Sequence, residues 1–257
     1  MNTSTDRSGD DRPRGVIHLR NGSAPSAPPP PTPPLSPTPT GSPVPADSRD
    51  LRRPRTPVRA PDRSEPAPVV LSAARPQTRF TGSRGVLQAN LNWRPGADAD
   101  LDLGCLVACR EGDGTAVQAL GGSYGSLTRW PYVSLDQDDR TGASSDGETL
   151  RVSLDHAHVF ERLLLYVYVY EGAVDFRALG ATVTVTVPGE PGARIHLDDS
   201  PSGATACAIA LVRPAVDGLS LRREVRWFRP SPELWIQQQL DAAYGFGFQW
   251  VYASKDG

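Results

Sequence analysis

Proline is distributed so unevenly along this chain that only its second part can form a packed domain. Of 26 prolines in 257 residues, 18 lie between Pro13 and Pro76. Residues 23–46 are almost all Pro, Ser, Thr, Ala and Gly. Such a segment buries too little apolar surface to offset the entropy lost on ordering. We therefore predict a disordered, partly polyproline-II tail over residues 1–76 and a folded domain over residues 80–257.

Charge is divided in the same way and limits the choice of partner. Residues 1–76 hold 11 Arg against 7 Asp and Glu, a local balance of +4; the whole chain is −2, so the remainder carries −6. Binding to nucleic acid depends on clustered Lys and Arg that release counterions. An acidic folded part therefore argues against a nucleic-acid partner.

The three cysteines and the termini favour a cytoplasmic protein. Cys105 and Cys109 would lie about 13 Å apart on one strand, which is too far for a disulfide. An odd count without a CxxC pair fits a reducing compartment. The N-terminus lacks the pattern of a signal peptide. The longest apolar run, Leu163 to Tyr170, is too short to span a bilayer.

Alternating apolar residues predict an all-β fold. By period-two counting, the segment from Leu101 to Cys109 has Leu101, Leu103, Cys105, Val107 and Cys109 on one face. Leu163 to Tyr170 reads as a strand buried on both faces. A strong two-residue turn, Asp217-Gly218, closes a predicted hairpin. The other predicted strands are 86–93, 149–154 and 181–187, with 204–212 and 219–228 forming the hairpin. Many short strands with Gly and Pro turns favour a two-sheet β-sandwich.

One helix is predicted near the C-terminus. Ser231 is the predicted N-cap, Pro232 the first helical residue, and Gly245 the stop after about Tyr244. The aromatic residues that recur at every second position from 244 to 252 are expected to cover a sheet or to seat this helix. A short strand-like patch at residues 15–20, within the tail, is a candidate docking motif.

Two acidic runs interrupt the strand-like sequence. Asp98, Asp100 and Asp102 alternate, so they project to one side if the strand begins that early. The second run, residues 136–148, is rich in Asp, Ser, Thr and Gly. Carboxylates that converge need a positive charge between them, and Ca²⁺ takes about 6–8 oxygen ligands. The residues suggest a calcium site if the runs meet. Solvated Asp-Gly turns are the open alternative.

Both runs resemble a known family. Leu91-Asn92-Trp93 followed by Asp-Ala-Asp-Leu-Asp at 98–102 is similar to the opening of the TerD domain of tellurium-resistance proteins. Residues 135–142 (Leu-Asp-Gln-Asp-Asp-Arg-Thr-Gly), with the Asp-Gly-Glu at 146–148, resemble that family's Gly-Asp-Asn-Arg-Thr-Gly run and the acidic loop after it. The C-terminal part is most similar to the TerA-type branch. The resemblance covers about residues 85–257.

The resemblance implies a β-sandwich that binds one or two Ca²⁺ ions in its acidic loops. The ligands that it implies are Asp100, Asp102, Asp138, Asp139, Asp146 and Glu148, with Asp98 and Glu171 as secondary candidates. The chain departs from the family pattern at two places: Ala-Ser-Ser at 143–145 stands where the family has more acid, and Asp139 replaces the usual Asn. Fewer carboxylates at 143–145 favour one ion instead of two, or weaker affinity. The implied function is a stress-response module that engages related Ter-type proteins, with peripheral contact at the inner face of the membrane as an option.

Other functions have weaker support in the sequence. Paired carboxylates could hydrolyse glycosides, but a Gly-x-Ser-x-Gly elbow, a P-loop and a Ser/His/Asp set are absent. We expect binding and not catalysis, and we identify no small-molecule substrate. His156 and His158 are predicted to lie in a solvated loop, and Cys105 and Cys109 to be buried packing residues. The alternative function is a scaffold that recruits partners through its Pro-rich tail.

Overall fold

Strands dominate the computed structural model, which describes residues 16–18, 67–94, 99–136, 147–172 and 175–251. In chain order the strands are β1 (Val16–His18), β2 (Val69–Val70), β3 (Gln77–Phe80), β4 (Val86–Asn92), β5 (Ala99–Cys109), β6 (Gly114–Val117), β7 (Gly125–Ser126), β8 (Val133–Leu135), β9 (Glu148–Ser153), β10 (Phe160–Gly172), β11 (Thr182–Thr186), β12 (Ala193–His196), β13 (Ala206–Ala215), β14 (Gly218–Phe228) and β15 (Gln249–Val251). The α-helices are α1 (Phe176–Leu179) and α2 (Ile236–Tyr244), and 3₁₀ segments span Leu120–Gly122 and Leu154–Val159.

The strands form two large sheets, which confirms the predicted two-sheet, all-β architecture. One sheet has the order β3-β14-β13-β10-β5-β6, and the other has the order β2-β12-β11-β4-β9-β8-β7. Neighbouring strands are antiparallel except for the β2–β12 pair. Leu87 and Leu91 of the seven-stranded sheet share one buried cluster with Leu103 and Val167 of the six-stranded sheet. This cluster is the core between the two sheets.

The central strands of the six-stranded sheet are buried on both faces. The alternate residues of β5 that were predicted to share a face, from Leu101 to Cys109, all belong to the core between the sheets. Leu106 on the opposite face belongs to a second buried cluster. β10 is divided in the same way: Leu165 and Val167 face the first cluster, and Tyr166 and Tyr168 face the second. The prediction of a strand buried on both faces is confirmed.

The second cluster lies beneath a cover formed by α2 and the aromatic segment after it. Leu240 of α2 and Phe246 are buried there, and Phe248 and Trp250 pack against the cluster. The aromatic residues therefore cover a sheet, as predicted. Gly114 on β6 leaves room for Phe248, because a Cβ at this position would lie 2.5 Å from the ring.

One buried carboxylate holds the aromatic segment in place. Asp241 accepts the backbone N–H groups of Gly247 at 2.5 Å and Phe248 at 2.8 Å, and the indole N–H of Trp250 at 2.7 Å. The guanidinium of Arg162 adds a bond to the carbonyl of Gly245 at 2.8 Å. Because these donors lie six to nine residues after Asp241, the end of α2 and the following segment form one hydrogen-bonded unit.

The structure corrects the beginning of the predicted helix. α2 begins at Ile236, after Trp235, and Gln238 caps it by accepting the backbone N–H of Trp235 at 2.9 Å. Ser231 instead accepts the N–H of Glu233 at 3.2 Å and closes a separate turn. The predicted end is right, since Gly245 is left-handed with φ 67°. The short helix α1 was not predicted.

Two strands come from the region assigned to the tail. Val69 and Val70 pair with β12, and β1 pairs with β15 in antiparallel register. The strand-like patch at residues 15–20 therefore contains a strand. None of the helices in the described ranges is long and apolar enough to cross a membrane.

Candidate metal centre

Glu148 comes from the second acidic run and points into the space between the sheets. It lies directly opposite Leu91, a core residue of β4, so the two side chains share a face. Gly147 makes this entry into β9 possible: its φ is 58°, and a Cβ would lie 2.1 Å from the carbonyl oxygen of Leu91. The Glu148 side chain is fully buried as a result.

The carboxylate of Glu148 crosses from one sheet to the other. Its Oε2 accepts the backbone N–H of Leu103 on β5 at 2.6 Å. β6 pairs with β5 from Cys105 to Ala108 and stops short of Leu103. The carboxylate therefore takes the place of a strand partner at this point of the β5 edge, which satisfies a buried donor.

Asp102 comes from the first acidic run and lies beside the same peptide. Its side chain is fully buried, and its Oδ2 accepts the hydroxyl of Tyr168 at 2.5 Å. Burial, followed by the charge of Asp102, raises the pKa of Tyr168 well above 10.0. The phenol therefore keeps its proton and acts as a donor to Asp102. Because Glu148 bonds to Leu103 and Asp102 precedes Leu103, the two acidic runs meet at the Asp102–Leu103 peptide.

Asp100 and Glu171 add two carboxylates at the beginning of β5. They are cross-strand partners, and the β5–β10 register shifts between Val169 and Glu171. Asp100 is 7% exposed, whereas Glu171 is exposed. Like charges that face each other across a ladder destabilise it. Asp100 and Glu171 therefore place two carboxylates side by side at this end of the sheet.

Asp136, the first residue of the second run, has a structural role. Its Oδ1 accepts the backbone N–H of Thr149 at 3.1 Å, and its Oδ2 lies 2.6 Å from the guanidinium of Arg151. These bonds join the end of β8 to β9 at the base of the acidic loop. Asp138, Asp139 and Asp146 within that loop, and Asp98 before β5, lie outside the described residues.

The described residues do not by themselves form a metal site. Across them, no group of three or more His, Cys, Asp and Glu side chains is arranged to hold a metal ion. The buried carboxylates of Asp102 and Glu148 are hard oxygen donors of the kind that Ca²⁺ prefers. The donor chemistry fits calcium, and the further donors would come from residues 137–146.

Across the part of the chain that the structure describes, the histidines and cysteines form no metal-binding cluster. His156 was predicted to lie in a solvated loop, but its ring stacks on Tyr132 with centroids 3.8 Å apart, and its Nδ1 lies 2.9 Å from the hydroxyl of Ser153. Cys105 and Cys109 are buried, as predicted, and Cys207 is buried as well; burial raises the pKa values of all three thiols. Neutral buried thiols are poor nucleophiles.

These observations define a class: a two-layer β-sandwich in which buried carboxylates from two sheets meet at one end of a central strand. The chain is 31% identical over 185 residues to the tellurium resistance protein TerA of Alcaligenes sp. That match covers 66% of this chain and 53% of the relative, so the chain spans about half of that protein's length. This similarity supports the predicted relationship to the TerD-domain family and its TerA-type branch.

Solved structures with a similar fold include a protein of unknown function, with a TM-score of 0.46 and 15% identity over 59% of this chain and 94% of that one. Another is a homologue of the telluride resistance protein TerD from Streptomyces coelicolor A3(2), with a TM-score of 0.43 and 20% identity over 58% of this chain and 92% of that one. No family model matches the chain.

Proposed function

We propose that this protein is a calcium-binding module of the tellurium-resistance and stress-response type, which acts by metal-dependent protein interaction and not by catalysis. The observation that carries the proposal is the meeting of Asp102 and Glu148, which are 46 residues apart in the sequence, at one buried peptide. Carboxylates that converge in this way are hard oxygen donors of the kind that Ca²⁺ prefers.

The ligand set divides into a fixed part and a loop part. Asp100, Asp102 and Glu148 lie on strands, which hold their positions. Asp138, Asp139 and Asp146 would close over the ion from the acidic loop, with Asp98 and Glu171 as outer candidates. Since the loop leaves β8 at Asp136 and enters β9 at Gly147, binding would fix the loop against the beginning of β5.

The metal would supply no chemistry on a substrate in this proposal. It would fix the surface of the acidic loop, and that surface would engage other Ter-type proteins in the cytoplasm or at the inner face of the membrane. A relative of this chain carries the name tellurium resistance protein. Oxyanions such as tellurite would be repelled by a cluster of carboxylates. Under this proposal, tellurium resistance therefore depends on contacts between proteins and not on the binding of tellurite.

Isothermal titration of the full chain with Ca²⁺, and separately with Mg²⁺, tests the site. We expect saturable Ca²⁺ binding that weakens at least about tenfold, or about 1.4 kcal/mol, in Asp102→Asn and in Asp139→Asn. Asp175→Asn is the matched control, because Asp175 is a carboxylate that caps α1 by accepting the N–H of Arg177. Unchanged affinity in both site variants would refute the ligand assignment, and no Ca²⁺ binding by the parent chain would refute the function.

The interaction half of the proposal has its own test. Partner capture from cell extract is compared with and without chelator, and for the chain with and without residues 1–76. Capture that is lost with chelator and survives the deletion supports the metal-dependent surface. Capture that survives chelator and is lost with the deletion supports the tail as the recruiting element.

A further inference from the structure

We infer that Tyr168 is a positioning residue for the calcium site, which orients Asp102 from the covered face of the six-stranded sheet. The inference rests on the proposed function and deepens it. The acidic residues of the two runs carry the charge, but this tyrosine comes from β10, 66 residues after Asp102. Its hydroxyl reaches the carboxylate at 2.5 Å.

The ring of Tyr168 is held so that its hydroxyl has little freedom to move. The side chain is fully buried in the cluster beneath α2. It stacks on Tyr166 with ring centroids 6.2 Å apart and planes 27° apart. The hydroxyl of Tyr166, in contrast, bonds Gln118 Oε1 at 2.6 Å. A rigid donor of this kind selects one orientation of the carboxylate that it bonds.

Backbone geometry places both partners of this bond. Asp102 and Tyr168 are direct cross-strand neighbours on β5 and β10, so their side chains leave the sheet on the same face. Two residues along β5, Gly104 lies opposite Tyr166, and a Cβ there would lie 2.3 Å from Cζ of that ring. The glycine opens the space that the tyrosine pair occupies.

A hydrogen bond to a ligating carboxylate tunes the affinity of a metal site. Partners that orient ligands in this way typically change metal affinity by about 10- to 100-fold when they are removed. Without the phenol hydroxyl, the Asp102 carboxylate would lose one hydrogen bond that restrains its rotation. The loss would appear in the calcium affinity beyond any loss in the stability of the fold.

Two variants of the full chain separate these effects. Tyr168→Phe removes the hydroxyl that bonds Asp102, and Tyr166→Phe removes a buried hydroxyl from the same cluster that bonds Gln118 instead. Both keep the ring and therefore the packing. We expect Tyr168→Phe to raise the Kd for Ca²⁺ by about 10- to 100-fold, and Tyr166→Phe to change it less than threefold.

Two measurements report the outcome. Titration calorimetry gives the Kd for Ca²⁺, and thermal unfolding with and without chelator gives the calcium-dependent increase in Tm, from which any loss of intrinsic stability cancels. Equal Kd values and equal increases in Tm for the two variants would overturn the assignment of Tyr168. A parent chain that binds no Ca²⁺ would instead overturn the proposed function, so the two failures are distinguishable.

Discussion

Replacing Glu148 by Gln separates the structural role of this side chain from its proposed role as a ligand. The amide oxygen of Gln can still accept the N–H of Leu103, which Glu148 Oε2 now accepts at 2.6 Å. The substitution removes one negative charge from a buried position next to Asp102. The hydrogen bond from Leu103 is therefore kept in weaker form, while the negative charge of the Glu148 carboxylate is lost.

The magnitudes favour a small change without calcium and a large one with it. Two like charges about 4 Å apart repel by about 4 kcal/mol at an effective dielectric constant of 20, and the repulsion falls in inverse proportion to their separation. Exchanging a charge-assisted hydrogen bond for a neutral one loses about 1 kcal/mol. In chelator, the free energy of unfolding of Glu148→Gln should therefore equal or exceed that of the parent chain.

Calcium reverses this order. At a concentration 100 times its dissociation constant, a ligand adds about 2.7 kcal/mol to stability. For a domain of this size, that corresponds to an increase of about 5–11 °C in the Tm of the parent chain. We expect Glu148→Gln to show less than half of the increase, because one ligand and one charge are missing.

Differential scanning calorimetry in chelator and in saturating Ca²⁺ measures both quantities. Glu190→Gln is the matched control, since Glu190 also accepts a backbone N–H, that of Gly82, and lies outside both acidic runs, between β11 and β12. This control should keep the full calcium-dependent increase. If Glu148→Gln kept it as well, or if it were strongly destabilised in chelator alone, the ligand role of Glu148 would be refuted.

Three further predictions concern the cover and the buried groups. Asp241→Asn should destabilise the fold by about 2–3 kcal/mol in urea unfolding, because part of a buried carboxylate with three N–H donors is lost. Asp199→Asn should have little effect, because this carboxylate also accepts an indole N–H but is exposed. The three buried cysteines should resist alkylation until the protein unfolds, which mass spectrometry can follow. The pKa values of Tyr166 and Tyr244 are raised, chiefly by burial. The contribution of these two tyrosines to stability is complete below pH about 10. It is lost as the pH rises further, because their hydroxyls ionise more readily in the unfolded chain than in the folded one. Unchanged unfolding midpoints between pH 9 and 11 would contradict this.

The β-sandwich could be predicted because a strand with one face in the core has apolar residues at every second position of its sequence. The apolar alternation of β5 and the continuous apolar run of β10 are local features, and both give the correct burial. The beginning of α2 could not be predicted in this way. Ser231 has the residue type of an N-cap, but its hydroxyl closes a turn, and Gln238 caps the helix from within.

The surroundings of the acidic residues depend on parts of the chain that are far away. From the sequence, Asp100 and Asp102 lie opposite the apolar face of β5, which is the position of a solvated or frayed side chain. They are buried because α2 and the aromatic segment cover that face more than 130 residues later in the sequence. Tyr168 was predicted only as part of a buried strand, since no local pattern shows which carboxylate its hydroxyl meets.

The carboxylates of Asp102 and Glu148 lie on different sheets. A calcium ion bound by both would therefore stabilise the fold and the surface that a partner protein contacts. Asp102 belongs to β5 in the six-stranded sheet, and Glu148 belongs to β9 in the seven-stranded sheet. A cation held by both would link the layers at the end where the acidic loop joins β9. Because its strand-borne ligands are buried and hydrogen-bonded, such an ion would have little freedom to accept a substrate. Under the proposed function, calcium binding therefore stabilises one conformation of the acidic loop and the sheet ends. A partner protein recognises the surface that this conformation presents.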